Sequence, residues 1–284
     1  MDNKELLSLQ ILATKGRMLA VEAIGLAKSG HPGGSLSCMD VLTYLYNKEM
    51  KIDPADPKNP DRDRFVLSKG HSAPALYSVL ALRGFFDKEE LKGLRQPHSM
   101  LQGHPDMKAI PGVDMSTGSL GQGISTACGM ALAGKLDKKD YRVYTVLGDG
   151  EIEEGQVWEA LMFAAHKNLT NLCVMVDYNG LQIDGPITEV MSSLPIADKL
   201  RAFNFNTIEI DGNDLQQIED ALTAARACTD KPTAIVLHTV KGKGVSYMEN
   251  VVSWHGNPPN PEQMQIALDE LGATLKELED KYNG

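Results

Sequence analysis

Arg142-Val-Tyr-Thr-Val-Leu147, running into Gly148-Asp149-Gly150-Glu151-Ile152-Glu153-Glu154-Gly155, is the stretch that decides the fold. A short, nearly continuous apolar run ending in a glycine-rich acidic turn reads as a strand buried on both faces, because a half-exposed strand would alternate apolar and polar residues. The same grammar recurs downstream: strands are expected over 171–177 (NLCVMVD), 206–210 and 233–239 (TAIVLHT), with helices over 154–167, around 195–203 and over 214–228. Strands separated by single helices pair in parallel, so the chain is expected to be α/β, a doubly wound parallel sheet flanked by helices.

Upstream, a helix over 6–28 runs into the glycine-rich loop Ser29-Gly-His-Pro-Gly-Gly34, and a second helix is expected over 37–48. A strand at 64–68 ends in Lys69-Gly70-His71, and helices follow at 74–83 and 88–94. The Gly/Pro-rich connection from 95 to 117 exceeds most connections in compact domains, and such loops are functional or disordered. A helix over 120–134 and a last amphipathic helix over 261–281 complete one expected domain spanning 1–284, without internal repeat or flexible linker.

The 284 residues, 42% of them apolar, provide ample core, and the composition excludes disorder and collagen. With 28 Lys+Arg against 38 Asp+Glu and no basic block, nothing suits the phosphate backbone of a nucleic acid. The start, MDNKELLSLQ, lacks a basic region followed by an apolar one, and no apolar run approaches the roughly 20 residues that cross a bilayer. Four scattered cysteines without a Cys-x-x-Cys pair read as reduced thiols, so a cytoplasmic location is expected.

In open parallel sheets ligands bind beyond the carboxyl ends of the strands. Asp149 and Asn179 stand at two such ends and supply hard oxygens of the kind Mg²⁺ or Ca²⁺ prefers, with room for diphosphate oxygens. Gly118-Ser119-Leu120-Gly121-Gln122-Gly123 opens a helix whose first amides and dipole favour an anion. Together these suggest a metal-bridged diphosphate site, although Asp and Asn at strand ends are also ordinary turn residues. The glycine segment is not G-x-G-x-x-G, no G-x-x-x-x-G-K-[ST] occurs, and the segment from Asp177 fails the EF-hand pattern at Leu181 and Gln182. His31, His71, His104 and His255 lie in loops flanked by Gly or Pro, which suits proton handling near neutrality better than a closely spaced zinc site.

The run Gly148–Gly155, with Asn179 placed 30 residues after Asp149, resembles the signature of thiamine-diphosphate-dependent enzymes. Within that class, Ser29–Gly34, Ser68–His71, Gly103-His-Pro105, Thr117–Gly123, Asp177–Gly180, Lys241–Gly244 and Trp254-His-Gly256 together resemble transketolase, in order from about residue 5 to 256. The resemblance implies the thiamine-diphosphate-binding fold, with thiamine diphosphate and Mg²⁺ (or Ca²⁺) as cofactors. Asp149, Asn179 and the Leu181 carbonyl would ligate the metal. Gly150 and Asn179 would meet the diphosphate, Gly118, Ser119 and Leu120 would line the cofactor path, and His71 would lie near diphosphate or thiazolium. Lys69 and Lys241 would neutralise phosphate charge. His31 and His255 would exchange protons with substrate hydroxyls, and His104 would bind or polarise the substrate. Glu154 and Glu159 resemble glutamates near the family's subunit contact or are helix-surface charge, and His98 receives no role.

A full transketolase is longer, adding a pyrimidine-binding domain and a third domain, and the former carries the glutamate that activates the cofactor. The resemblance therefore implies the amino-terminal subunit of a split transketolase, completed by a carboxy-terminal subunit that brings this glutamate, two copies of each. Such a complex would move a two-carbon ketol unit between sugar phosphates, xylulose 5-phosphate and ribose 5-phosphate being the usual pair of the pentose phosphate pathway. The alternatives are the diphosphate-binding subunit of a 2-oxoacid dehydrogenase or decarboxylase, which His31, His104 and Trp254-His255-Gly256 oppose, and a noncatalytic cofactor-binding partner.

Overall fold

A computed structural model describes residues 1–284. Five parallel strands form the central sheet: β1 (Arg64–Leu67), β2 (Val143–Gly148), β3 (Leu172–Tyr178), β6 (Asn206–Asp211) and β7 (Thr233–His238), in the spatial order β1-β2-β3-β7-β6. Two two-residue strands, β4 (Leu181–Gln182) and β5 (Gly185–Pro186), make a separate antiparallel hairpin. The helices are α1 (Asn3–Ala27), α2 (Pro32–Ser37), α3 (Met39–Tyr44), α4 (Ala73–Arg83), α5 (Gln122–Leu136), α6 (Gly155–His166), α7 (Ile187–Val190), α8 (Ile196–Ala202), α9 (Leu215–Ala227) and α10 (Pro261–Asn283).

The apolar strands divide their side chains between two cores. In β3, Cys173 and Met175 join the core formed with α1, α3, α4 and α9, whereas Leu172, Val174 and Val176 join the one formed with α5, α6 and α8. This is the period-two geometry of a strand covered on both faces, and it accounts for the absence of sequence alternation. Of the two edge strands, β1 is buried except at Arg64, whereas β6 is partly or fully exposed along its length, matching its polar Asn206, Glu209 and Asp211. No helix is long and apolar enough to cross a membrane.

The amino-terminal region departs from its sequence reading. Pro32 starts a helix inside the expected glycine-rich loop, and the helix expected over 37–48 is divided into α3 and a wide turn over Leu45–Glu49. Proline suits a first helical turn because its amide would be unpaired there anyway. The low helix propensity of Gly33 is overridden by packing: a Cβ there would stand 2.9 Å from the Trp254 carbonyl and 3.0 Å from Lys241. The hairpin and several short 3₁₀ turns also carried no readable sequence signal.

Close approach sets the start of α5 against β1. A Cβ on Gly123 would lie 2.6 Å from Ser68 Oγ and 2.7 Å from Ser68 Cα. Gly123→Ala is expected to cost about 1–3 kcal/mol through overpacking. Urea unfolding should show a lower midpoint at unchanged slope.

Candidate active site

The carboxyl ends of β1, β2, β3 and β7 open into one cleft of about 280 Å³. The strand order brings the β7 loop beside the β3 loop, with Tyr178 opposite His238 at the end of their register. The cleft is lined by His31, Lys69, His71, Gly118, Leu120, Asp149, Gly150, Asn179, Leu181, Lys241 and His255, all expected as site residues. Ser119 is exposed and does not line it. His104 stands at its side: Gly118, at φ +140°, leaves room for the His104 ring, which lies 2.9 Å from where a Cβ would be. Glu154 and Glu159 are exposed on and beside α6, and His98 is exposed on its loop.

The floor of the cleft is organised by a group the sequence reading had passed over. Asp177, near the end of β3, is completely buried. It accepts from the Lys69 ammonium, from Thr239 Oγ1, from Ser37 Oγ at 2.7 Å and from Asn179 Nδ2 at 3.2 Å. Lys69 also donates to the Gly34 carbonyl at 2.9 Å. Burial opposes charge on both partners, yet Lys69 holds Asp177 below the usual carboxylate range and Asp177 raises Lys69 above the usual ammonium range. Lys69 therefore neutralises Asp177 rather than standing as a free cation for phosphate. An acid inside an apolar run was the available signal for Asp177.

Asp149 is 2% exposed and accepts backbone amides from Gly150 at 2.9 Å and Gly180 at 2.6 Å. Burial, followed by the charge of Asp177, pushes its pKa up to about 6. Asn179 Oδ1 accepts the Leu181 amide at 3.2 Å. The Leu181 carbonyl accepts from Lys241 Nζ at 2.6 Å, and the same ammonium donates to His255 Nδ1 at 2.8 Å. Burial lowers Lys241 to about 8, with Asp149 opposing the fall.

Glu151, another residue unassigned from sequence, is 2% exposed and accepts from Ser68 Oγ, from the Gly121 amide at 2.9 Å and from the Gly148 amide at 3.0 Å. It ties the start of α5 to the ends of β1 and β2. One of the amides expected to greet an anion is thus taken by an internal carboxylate.

Three imidazoles form one cluster. His71 and His255 stack with centroids 5.2 Å apart, and His31 meets His71 edge-on at 5.2 Å and His255 at 5.7 Å. Burial lowers His31 to about 4, helped by Arg95, His104 and Lys241. Burial lowers His255 to about 3, helped by Lys241 and His31, and holds His71 well below its ordinary value. At neutral pH all three are uncharged. His31 Nδ1 is buried without a hydrogen-bond partner, an orphaned atom aimed at no protein group.

The cleft thus gathers a buried, desolvated carboxylate, an amide side chain, a backbone carbonyl paired with an ammonium and three neutral imidazoles. Comparison with known proteins gives the family. Residues 9–279 match the family "Transketolase, thiamine diphosphate binding domain", and the chain belongs to that family. It is 46% identical to the 6-deoxy-6-sulfo-D-fructose transketolase subunit SqwG of Clostridium sp. (strain MSTE9), over 95% of this chain and 98% of that protein. It is 42% identical to an apulose-4-phosphate transketolase subunit of Phocaeicola vulgatus, over 98% of each. Human transketolase is 42% identical over 97% of this chain but only 44% of its own length. Among solved structures, transketolase from Leishmania mexicana superposes with a TM-score of 0.84 at 31% identity, covering 96% of this chain and 47% of that one.

Breaking the buried Lys69–Asp177 pair on one side leaves an uncompensated charge. Lys69→Met leaves a buried carboxylate without its cation and is expected to cost about 3–5 kcal/mol in urea unfolding. Adding Asp177→Asn removes the orphaned charge, so the double variant should regain part of that loss.

Proposed function

We propose that the chain is the diphosphate-binding subunit of a two-chain transketolase. A separate subunit supplies the pyrimidine-binding part with its activating glutamate, and two copies of each assemble. The complex transfers a two-carbon ketol unit from a ketose to an aldose with thiamine diphosphate and Mg²⁺. The observation that carries this reading is the neutral cluster of His31, His71 and His255 sharing one cleft with Asp149 and Asn179. The two relatives described as transketolase subunits support the division, because this chain covers 98% of each. Their named substrates carry a sulfonate or a phosphate, so the substrate class assigned here is a ketose with a terminal anionic group.

The residues present fit the cofactor. Asp149 is a desolvated carboxylate with only amide donors, and the Leu181 carbonyl already attracts the Lys241 ammonium, so a divalent cation satisfies both. Asp149, Asn179 and the Leu181 carbonyl would hold Mg²⁺, Gly150 and Asn179 would meet the diphosphate, and Gly118 and Leu120 would flank its path. Lys241 would leave the carbonyl for the diphosphate. Thiamine diphosphate supplies, when bound, a thiazolium that accepts the electron pair released when the sugar carbon–carbon bond breaks.

The protein's share is positioning and proton movement. Because His255 Nδ1 accepts from Lys241, its neutral ring carries the proton on Nε2 and is a donor there. His31, an uncharged imidazole lining the cleft, would accept a proton from a substrate hydroxyl, and His104 would bind the substrate from the rim. A neutral ring accepts a proton without first shedding one, and the imidazolium so formed returns it in the reverse step.

Metal binding needs an ionised Asp149, so one proton competes with Mg²⁺. Calorimetric affinity for thiamine diphosphate with Mg²⁺ should be flat between a pH of about 6 and about 8, fall about tenfold per unit below that window as Asp149 takes a proton, and fall above it as Lys241 loses its charge. Asp149→Ala should abolish the Mg²⁺ dependence while leaving the circular dichroism spectrum intact, since it removes a charge that burial disfavours.

Transfer from xylulose 5-phosphate to ribose 5-phosphate should appear only when the chain is mixed with its partner subunit, and His255→Ala should lower that turnover by on the order of 10²–10⁴. A fully formed, cofactor-loaded complex without ketol transfer from any phosphorylated or sulfonated ketose would exclude the reading.

A further inference from the structure

We propose that Arg95 is a positioning residue that clamps the loop bearing His104 to the loop bearing His31 and fixes the spacing of the two imidazoles. This role presupposes that His31 and His104 face substrate, as read above. Arg95 Nη1 donates to Ser29 Oγ at 3.1 Å and Nη2 to the Gly103 carbonyl at 3.3 Å. Ser29 stands two residues before His31, and Gly103 immediately precedes His104. The two arms of one guanidinium thus bridge segments far apart in sequence.

The clamp is itself anchored. The Arg95 amide donates to the Leu101 carbonyl at 2.8 Å, closing the turn between them. The guanidinium lies against the Gly103 backbone so closely that a Cβ there would be 2.8 Å from Cζ. A rigid planar fork spans two acceptors in a way that a lysine ammonium on a flexible stem does not reproduce.

Arg95 forms no ion pair, and its Nε is buried without a partner. Its charge is uncompensated beside both imidazoles and helps keep them neutral. His31 is also faced by His104 from the loop that carries Arg95, by Lys241 from the β7 loop and by the rings of His71 and His255. His104 is faced by Arg95 and by the uncharged Gly118 backbone. The nearby acid Asp106 is engaged with the Lys108 amide and Ser116 Oγ.

His104 sits on the long connection between the 3₁₀ turn Lys88–Gly93 and α5, outside any strand or helix, with its neighbours Gln102 and Pro105 held by the Tyr77 hydroxyl of α4 at 2.9 Å and the Thr117 amide at 3.3 Å. Without the clamp nothing else on its own loop ties it to Ser29-Gly30-His31. A displacement of about 1 Å between reacting groups costs on the order of 10²-fold in rate.

The test uses Arg95→Met, Arg95→Lys and Ser29→Ala in the full chain, read in two ways. In the chain alone, NMR titration of the His31 and His104 rings should show both midpoints rising in Arg95→Met and staying low in Arg95→Lys, which keeps the charge. In the complex with its partner subunit, turnover should fall on the order of 10²-fold in both Arg95 variants and by less in Ser29→Ala, which loses one arm. Calorimetric affinity for thiamine diphosphate should not change, since Asp149 and Asn179 are untouched. Arg95→Lys with wild-type turnover would overturn the clamp, and Arg95→Met with unmoved ring titrations would overturn the electrostatic part. If wild-type complex lacks ketol transfer altogether, the functional reading fails, whereas the ring titrations still judge the electrostatic part and hydrogen exchange at Gly103 and His104, faster in both Arg95 variants, still judges the clamp. Ser29→Ala retains Arg95 and its backbone contacts, so the test survives if Arg95→Met fails to fold.

Discussion

The ion pair of Lys69 and Asp177 is the constraint on which the cleft depends. It joins the turn after β1 to the end of β3, and through Ser37, Gly34, Thr239 and Asn179 it reaches α2, the β7 loop and a proposed metal ligand. Both charges are out of water, so neither tolerates loss of the other. With four side-chain donors on one carboxylate, Asp177 fixes the strand ends around it, and the loops that bear the chemistry depart from a rigid base.

Around this base the charges are arranged by burial as much as by pairing. Asp149 forms no ion pair, and burial together with the charge of Asp177 leaves its carboxylate titrating at about 6. Lys241 supplies an interim positive charge at the Leu181 carbonyl and sets the tautomer of His255. The imidazoles stay neutral chiefly because they are buried, with nearby cations adding to the effect. Such strained electrostatics are characteristic of sites built for a ligand rather than for stability.

Much of the architecture was legible in the chain. The runs RVYTVL, NLCVMVD and TAIVLHT became central strands within a residue of their expected bounds, because an apolar stretch of that length between glycine-rich turns has few other solutions. Eleven expected site residues line one cleft, since parallel strands deliver their carboxyl-end loops to the same edge. Ser29–Gly34 misled because glycine and proline signal a loop, whereas packing against Lys241 and Trp254 turned Pro32 onward into helix.

The sequence by itself determined the doubly wound sheet, the family and the residues at the strand ends, because periodicity, turn chemistry and motif spacing are local properties of the chain. Only the tertiary structure decided that Lys69 belongs to Asp177, that Glu151 fills part of the helix terminus offered to an anion, that His104 flanks the cleft instead of lining it, and that Arg95 joins two histidine loops. Each of these depends on which distant side chain arrives within about 3 Å, and hydrogen-bond geometry and desolvation are set by that arrival, not by neighbours in sequence.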